Sequence, residues 1–435
     1  MGLVRNIITT LSARFLGLAI GLISSVILAR VLGPEGRGIF ALVLLIPEMA
    51  ISFGLLGFEQ SNAVFAGLEP DRRKSLVWQS MVIAGIIGGF IALVGSIFLA
   101  LGAPGLGYMI RGPLWLYLVP FSLVPGRLVI EYWGAILRGM NRIFVLNLTE
   151  VGTKIASLFL ILILVVGLRF GVGGAVWSEW IIGAGTVVLF MIFLRQNGLW
   201  GESGLDWSLI KRTGRFALPA HCGTVLSFLN YRVDQFIIAA FLPPEQIGFY
   251  IIAVSLVERI WILPGSIANV LLPHLTNSTS HDTTLSAVIV RHTVIWIGSI
   301  CLLVFCFAEV VVSVLYSHAF LGAVAPLRWL LPGIFALSAG KVIGAELLAR
   351  KKIDFVVWTG SLVAVVNIVG NLILVPRMGI SGAALASSIS YSLLGVILIL
   401  YYLKETGLPW TALILRLEDF QTYRILWHRR SSIFF

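Results

Sequence analysis

The chain has 435 residues, 58% of them hydrophobic and 12% charged, with a mean hydropathy of +0.99. Soluble domains carry about 25% charged residues, so this chain lacks the polar surface to face water; a cytosolic enzyme and a secreted disulfide scaffold are both excluded, and a polytopic membrane protein is predicted. The net charge of +11 would suggest nucleic acid in a soluble protein, but in a membrane protein it first marks cytoplasmic loops.

A spanning helix needs about 20 mostly apolar residues. Breaking the apolar runs at Gly, Pro and charge clusters predicts twelve spans: 7–31, 37–60, 76–101, 113–138, 147–168, 172–194, 214–241, 246–272, 285–316, 322–348, 354–376 and 379–403. The runs are continuous rather than alternating, which excludes a transmembrane β-barrel. The first run is too long for the apolar region of a cleaved signal peptide and reads as a retained helix.

Orientation follows from the basic residues between spans. With the N-terminus inside, the cytoplasmic segments hold 19 Lys and Arg, including Arg72-Arg73-Lys74, Lys211, Arg212, Arg215 and Arg350-Lys351-Lys352, against 6 outside: Arg30, Arg37, Arg111, Arg169, Arg328 and Arg377. Both termini are therefore predicted to be cytoplasmic. Cys222, Cys301 and Cys306 fall inside spans and read as packing residues, not as a disulfide or metal pattern. The sequons at Asn147 and Asn277 lie on the predicted cytoplasmic side and read as chance.

The two halves resemble each other. Residues 29–48 and 239–258, at an offset of 210, share Ala29/Ala239, Leu32/Leu242, Pro34/Pro244, Glu35/Glu245, Gly38/Gly248 and Glu48/Glu258. Arg169-Phe-Gly-Val-Gly-Gly-Ala175 matches Arg377-Met-Gly-Ile-Ser-Gly-Ala383 at an offset of 208. Six spans per half give both halves one orientation, so this is a parallel repeat about an axis along the membrane normal. The expected layout is an N-terminal six-helix lobe (1–195), a cytoplasmic linker (196–213), a C-terminal six-helix lobe (214–404) and a cytoplasmic tail (405–435). A stripe of Trp410, Leu413, Ile414, Leu417, Phe420 and Trp427 in that tail fits an interfacial amphipathic helix.

Six cations remain within the spans: Arg14, Arg127, Lys154, Arg232, Arg259 and Lys341. Each costs at least about 2.5–3.5 kcal/mol near a helix centre and should face a cavity or a partner. Arg127/Glu131 and Glu150/Lys154 stand four apart on one helix face, which suits either structural ion pairs or a binding face. Arg14, Arg232, Arg259 and Lys341 have no such neighbour, although an acid on another helix could still absorb them. Arg14, Lys154 and Lys341 lie in the cytoplasmic third of their spans, Arg127 and Arg259 near the middle, and Arg232 in the middle to outer half. If these faces converge, they form a cationic ladder suited to a polyanion such as a phosphate or pyrophosphate head group. Among the acids in spans, Glu48, Glu59 and Asp234 are candidates for ion coupling.

Leu28-Ala-Arg-Val-Leu-Gly-Pro-Glu-Gly-Arg-Gly-Ile-Phe-Ala41, Asn230-Tyr-Arg-Val-Asp-Gln-Phe236, Gly248-Phe-Tyr250 and Arg377-Met-Gly-Ile-Ser-Gly-Ala383, in that order, resemble the Wzx-type polysaccharide flippases of the multidrug/oligosaccharidyl-lipid/polysaccharide transporter superfamily. The resemblance covers about residues 1–404. It implies an all-α membrane protein with the MATE-like fold, twelve helices in two lobes around a central cationic cavity. It further implies flipping of undecaprenyl-pyrophosphate-linked oligosaccharide to the outer leaflet by alternating access, for O-antigen or exopolysaccharide export. The implied setting is the bacterial cytoplasmic membrane, with the bilayer and other polysaccharide-assembly proteins as partners, and no nucleic acid, cofactor, metal or catalytic residue. One rival is an ion-coupled multidrug exporter of the same superfamily, against which stands a first span with Arg14 and no acid. Another is a lipid II flippase, which typically has fourteen spans. A polysaccharide polymerase or ligase would need a large external loop, and an ATP-driven pump a phosphate-binding G-x-x-x-x-G-K-[ST] motif; the sequence has neither.

Overall fold

The computed structural model describes residues 2–102, 112–201, 204–277, 283–414 and 416. The tail stripe at Leu417, Phe420 and Trp427 and the outer-loop Arg111 lie outside the described residues. Among those described there is no strand, as hydrocarbon demands of any backbone that is not part of a closed barrel. The helices are α1 (Gly2–Gly54), α2 (Phe58–Leu68), α3 (Arg73–Ala100), α4 (Trp115–Ser122), α5 (Val124–Gly139), α6 (Ile143–Ile161), α7 (Gly171–Gln196), α8 (Trp207–Phe241), α9 (Pro244–Asn277), α10 (Thr283–Cys306), α11 (Ala308–Tyr316), α12 (Val324–Ala349), α13 (Ile353–Met378) and α14 (Ile380–Thr406).

Nine of the described helices are long and apolar enough to cross a membrane. One of them, Ser12–Gly54, is two spans in one, because α1 turns at Gly33 (φ 67°) just before Pro34. Glycine adopts that left-handed φ without penalty and proline lacks the N–H the turn would orphan. With α8, whose Arg215, His221, Asn230, Arg232 and Asp234 lower its hydropathy, and the broken pair α4–α5, the twelve expected bodies are present.

Several predicted spans are interrupted. Span 37–60 ends at Gly54, and the chain restarts as α2 after Leu56 (φ 46°) and Gly57 (φ 77°). The carbonyls freed by this break are not left bare: buried Tyr132 on α5 donates its hydroxyl to Leu55 O at 3.0 Å and Gly54 O at 3.3 Å. Span 113–138 breaks at Leu123 ahead of Pro125, and span 285–316 at Phe307. Span 214–241 begins earlier, at Trp207, because the Asp206 side chain caps α8 by accepting from Leu209 N–H at 3.0 Å.

The chain divides into two compact units, Met1–Phe249 with Leu315–Phe320, and Tyr250–Val314 with Leu321–Phe435. The expected linker, 196–213, lies inside the first. The core of that unit is aromatic. Trp133, fully buried, donates to Val77 O at 3.2 Å and meets Trp200 edge-on, with Tyr117, Phe121 and Tyr132 around it. The second unit packs Leu271, Val290, Val342, Leu347 and Tyr402 into one cluster, and Phe355 stacks on Tyr401 at 3.6 Å. Large apolar side chains such as Phe90, Leu93, Phe159, Leu302, Val310 and Leu400 stand exposed, as surfaces that meet lipid do.

Ion pairs and a hydrogen bond tie segments that the positive-charge count places on one side. Arg212 forks onto Glu69 with two 2.9 Å contacts, and Arg72 reaches Asp206 at 3.0 Å. Arg30 donates to Leu315 O at 2.9 Å, joining two segments that the positive-charge count places outside.

The repeat is visible in the backbone. A Cβ on Gly38 would sit 1.7 Å from Pro244 O, and one on Gly248 would sit 2.1 Å from Pro34 O. The relation is reciprocal, each copy's glycine against the other copy's proline, as a two-fold contact requires. In the second motif, Gly171 and Gly379 both take positive φ (56° and 60°). Three residues on, Gly174 and Gly382 each press on a carbonyl of the preceding helix, Leu164 O at 2.9 Å and Leu374 O at 2.3 Å from a built Cβ.

Gly38→Ala and Gly248→Ala should each cost about 1–3 kcal/mol by forcing backbone apart. Gly21→Ala, with nothing within 4 Å of its Cβ, should be neutral or mildly stabilising, because alanine is the better helix former. Thermal unfolding of the purified variants in detergent checks both.

Candidate functional site

The sequence-selected residues fall into separate groups within each unit. In the first unit, α6 carries Lys154 and Glu150, which pair at 3.0 Å as their i,i+4 spacing allows. The same lysine crosses Gly17 of α1, its Nζ 2.8 Å from where a Cβ would stand. Gly17 lies three residues, about one turn, beyond Arg14, so Lys154 crosses α1 within about a turn of Arg14, admitted by the small residue there. Arg14 is exposed and has no partner among the described residues.

On α5, Arg127 is exposed, and among the described residues no ion pair joins it to Glu131. Its electrostatic partner is Glu179 on α7, which also faces Arg37 and Glu48 of α1. Glu179 is the member of this group that spacing did not single out. An acid in a span was its only signal, and its partners come from other helices. Arg232 on α8 is half-buried and engaged. Asp234, two residues on, is buried and accepts from Gln235 N–H at 2.7 Å.

Glu59 sits at the start of α2, against α8. Thr224 donates its hydroxyl to Glu59 Oε1 at 3.2 Å and accepts from Gln60 Nε2 at 3.0 Å. A Cβ on Gly57 would meet Ala217 O at 2.0 Å, so α8 reaches this contact only because residue 57 has no side chain.

In the second unit, the Lys341 ammonium lies 3.6 Å from the centre of the Trp261 ring, a cation–π contact worth more the drier it is. Trp261 in turn packs on Tyr391 with centroids 5.5 Å apart. Arg259 donates to Ser255 O one turn back, while its Nε is buried without a partner. Neither Lys341 nor Arg259 meets a carboxylate among the described residues. By contrast Glu346, 1% exposed, is gripped by Arg350 at 2.7 Å, a structural pair.

Two groups at the helix ends are shifted by their neighbours. The Ser208 hydroxyl and Leu209 N–H hold the Asp206 carboxyl below its ordinary range. Glu405, hydrogen-bonded at 2.8 Å, holds the Lys352 ammonium above its own. Among the described residues no cluster of His, Cys, Asp and Glu could hold a metal.

The family described as "Polysaccharide biosynthesis protein" matches residues 3–279, well over half of the chain. The chain belongs to this family. No curated protein matches it. Among solved structures, the lipid II flippase MurJ in an inward closed conformation has a TM-score of 0.78 at 16% identity, covering 93% of this chain and 89% of that one. An inward-facing multidrug resistance MATE family transporter of the MOP superfamily has a TM-score of 0.70 at 16% identity, covering 92% and 98%. A MOP superfamily transporter from Pyrococcus furiosus, described as having a binding pocket of reverse polarity, has a TM-score of 0.63 at 15% identity, covering 92% and 95%. At these identities the likeness is one of fold: an all-α, multi-pass, MATE-like membrane protein, as the resemblance implied. Within that fold, Arg14, Arg259 and Lys341 have no carboxylate partner among the described residues.

Paired and unpaired charges should respond differently to mutation. Arg350→Met strands the Glu346 carboxylate and should cost about 3–5 kcal/mol, largely recovered by adding Glu346→Gln. Arg14→Gln should leave stability within about 0.5 kcal/mol, as surface changes do. Unfolding midpoints of the three variants test the distinction.

Proposed function

We propose that the protein is a flippase, not an enzyme, moving undecaprenyl-pyrophosphate-linked oligosaccharide from the cytoplasmic to the outer leaflet of the bacterial inner membrane by alternating access. The observation that carries this reading is that Arg14, Arg259 and Lys341 stand within spans with no carboxylate to neutralise them among the described residues. Intramembrane cations are kept for a partner, and a pyrophosphate supplies the missing anion. Arg232, Arg127 and Lys154 belong to the same binding set, Lys154 through its position within about a turn of Arg14.

In this mechanism the lobes 1–195 and 214–404, joined by the linker 196–213, rock about the repeat axis, with both termini in the cytoplasm. Arg14, Lys154 and Lys341 receive the pyrophosphate from the cytoplasmic side, and Arg127, Arg259 and Arg232 take it outward. The lipid tail stays in the bilayer, so no covalent step is required. The family's description and a structural neighbour named for lipid II both support lipid-linked cargo; lipid II itself shares the pyrophosphate chemistry and is the second reading. A multidrug exporter of the same superfamily fits less well, since organic cations are repelled by these residues.

The triple variant Arg14→Gln/Arg259→Gln/Lys341→Gln should lose transport by about 100-fold or more, since each charge-assisted contact is worth about 1.5–3 kcal/mol. Flipping of a fluorescent undecaprenyl-pyrophosphate-linked sugar in reconstituted vesicles measures it, with lipid II as competitor and gel filtration as the folding control. Wild-type rates in a folded triple variant would overturn the site.

A further inference from the structure

Where α2 meets α8, two buried side-chain acceptors are left without a donor among the described residues. Glu59 is 9% exposed. Its Oε1 accepts from the Thr224 hydroxyl, whose oxygen accepts from Gln60 Nε2. Two acceptors on these adjacent side chains, Glu59 Oε2 and Gln60 Oε1, are buried with no donor. No Lys, Arg or His pairs with Glu59 among the described residues, and the charge that bears on it is another carboxylate, Glu131 of α5. A buried, ionised and unpaired carboxylate costs several kcal/mol, and buried acceptors without donors add to that.

From this geometry we infer that Glu59 is a proton-binding site and that its proton latches α2 to α8. A proton on Oε2 removes the charge and supplies the donor that the contact lacks. A metal cation fits poorly. Thr224 Oγ1 already accepts from Gln60, which leaves two free oxygens, where hard cations take six or more. Of the titratable groups on the helices packed against α2, Glu131 and Tyr132 of α5 bear electrostatically on Glu59, the His221 backbone of α8 lies against Gly57, and Arg212 of α8 is taken by Glu69. Tyr132 spends its hydroxyl on Gly54 O and Leu55 O. His221 has a buried Nδ1 without a partner and is the competing candidate. From α3, Arg73 donates to Ala66 O and Ser80 accepts from Asn62, while both polar atoms of the buried Gln79 side chain lack a partner among the described residues.

The other contacts at this seam are Ser61 Oγ to Thr213 O at 2.9 Å, the ion pairs Glu69–Arg212 and Arg72–Asp206, the Phe65 ring edge-on to Phe216 and under Arg212, and the close approach of Gly57 to Ala217 O. Once α2 and α8 part, Glu59 is solvated, ionises and gives its proton to water on the side predicted to be cytoplasmic. Reclosure needs a proton again. The site thus ties proton uptake to closure of that side, within the alternating-access reading proposed above.

The test reads the latch rather than transport, so failure of the flippase reading leaves it intact. In full-length protein with Cys222, Cys301 and Cys306 changed to Ser, spin labels at Val64 on α2 and Leu218 on α8, both exposed, report the α2–α8 distance in lipid nanodiscs by pulsed electron resonance. The short-distance population of the otherwise wild-type protein should fall relative to the long one as pH rises, approaching about tenfold per pH unit as one proton requires. Glu59→Gln, neutral at every pH, should stay closed and lose the response. Thr224→Ala should weaken closure but keep the titration, which covers the case in which Glu59→Gln does not fold. His221→Gln should titrate as wild type. A pH response retained in Glu59→Gln, one lost in His221→Gln, no response in the wild type, or a response to sodium at fixed pH would each overturn the proposal.

Discussion

In hydrocarbon, a polar group without a partner has no water to turn to, and this fold is organised around that constraint. Where the backbone breaks at Gly54 and where α8 begins, a neighbour is waiting. Tyr132 answers the carbonyls at the Gly54 break, and Asp206 caps the start of α8. Buried polar side chains follow the same logic in the second unit. Asn371 donates to Asn367, which donates to Ser387, a chain of hydrogen bonds among buried polar residues on α13 and α14.

Against that background the groups left over become informative. Arg14 and Lys341 lie within spans and meet no carboxylate among the described residues; Glu59 Oε2 and Gln60 Oε1 are acceptors without donors. The two kinds of residue differ in what would complete them. The cations lack an anion, whereas the Glu59 contact lacks a donor.

Glycine supplies the second constraint. The pairs Gly38/Gly248 and Gly174/Gly382 bring backbone carbonyls to distances that any side chain would forbid. They stand at equivalent places in the two sequence repeats, so the close approaches are part of the repeated unit. Small residues at helix contacts are how membrane helices associate when lipid is as apolar as leucine. They also leave contacts with few side-chain interlocks, which suits surfaces that have to part.

Composition and periodicity alone determined that this chain spans the membrane about a dozen times, which loops group together by charge, and where the two halves repeat. Each of these rests on local chemistry: apolar run length, basic residues near the ends, and Gly-Pro turns at a constant offset. The Glu150–Lys154 pair was legible for the same reason, since four residues make one turn. Tertiary structure decided what spacing along one helix does not encode. Arg127 bears electrostatically on Glu179 of another helix, with no ion pair to Glu131 among the described residues, Lys154 crosses Gly17 of α1, and Lys341 rests on Trp261. Glu59 was only an acid in a span until α8 closed over it. The physical reason is common to all four: the free energy of a charge in a membrane is set by what other helices bring within a few ångströms of it, and the sequence names those neighbours only after the chain has folded.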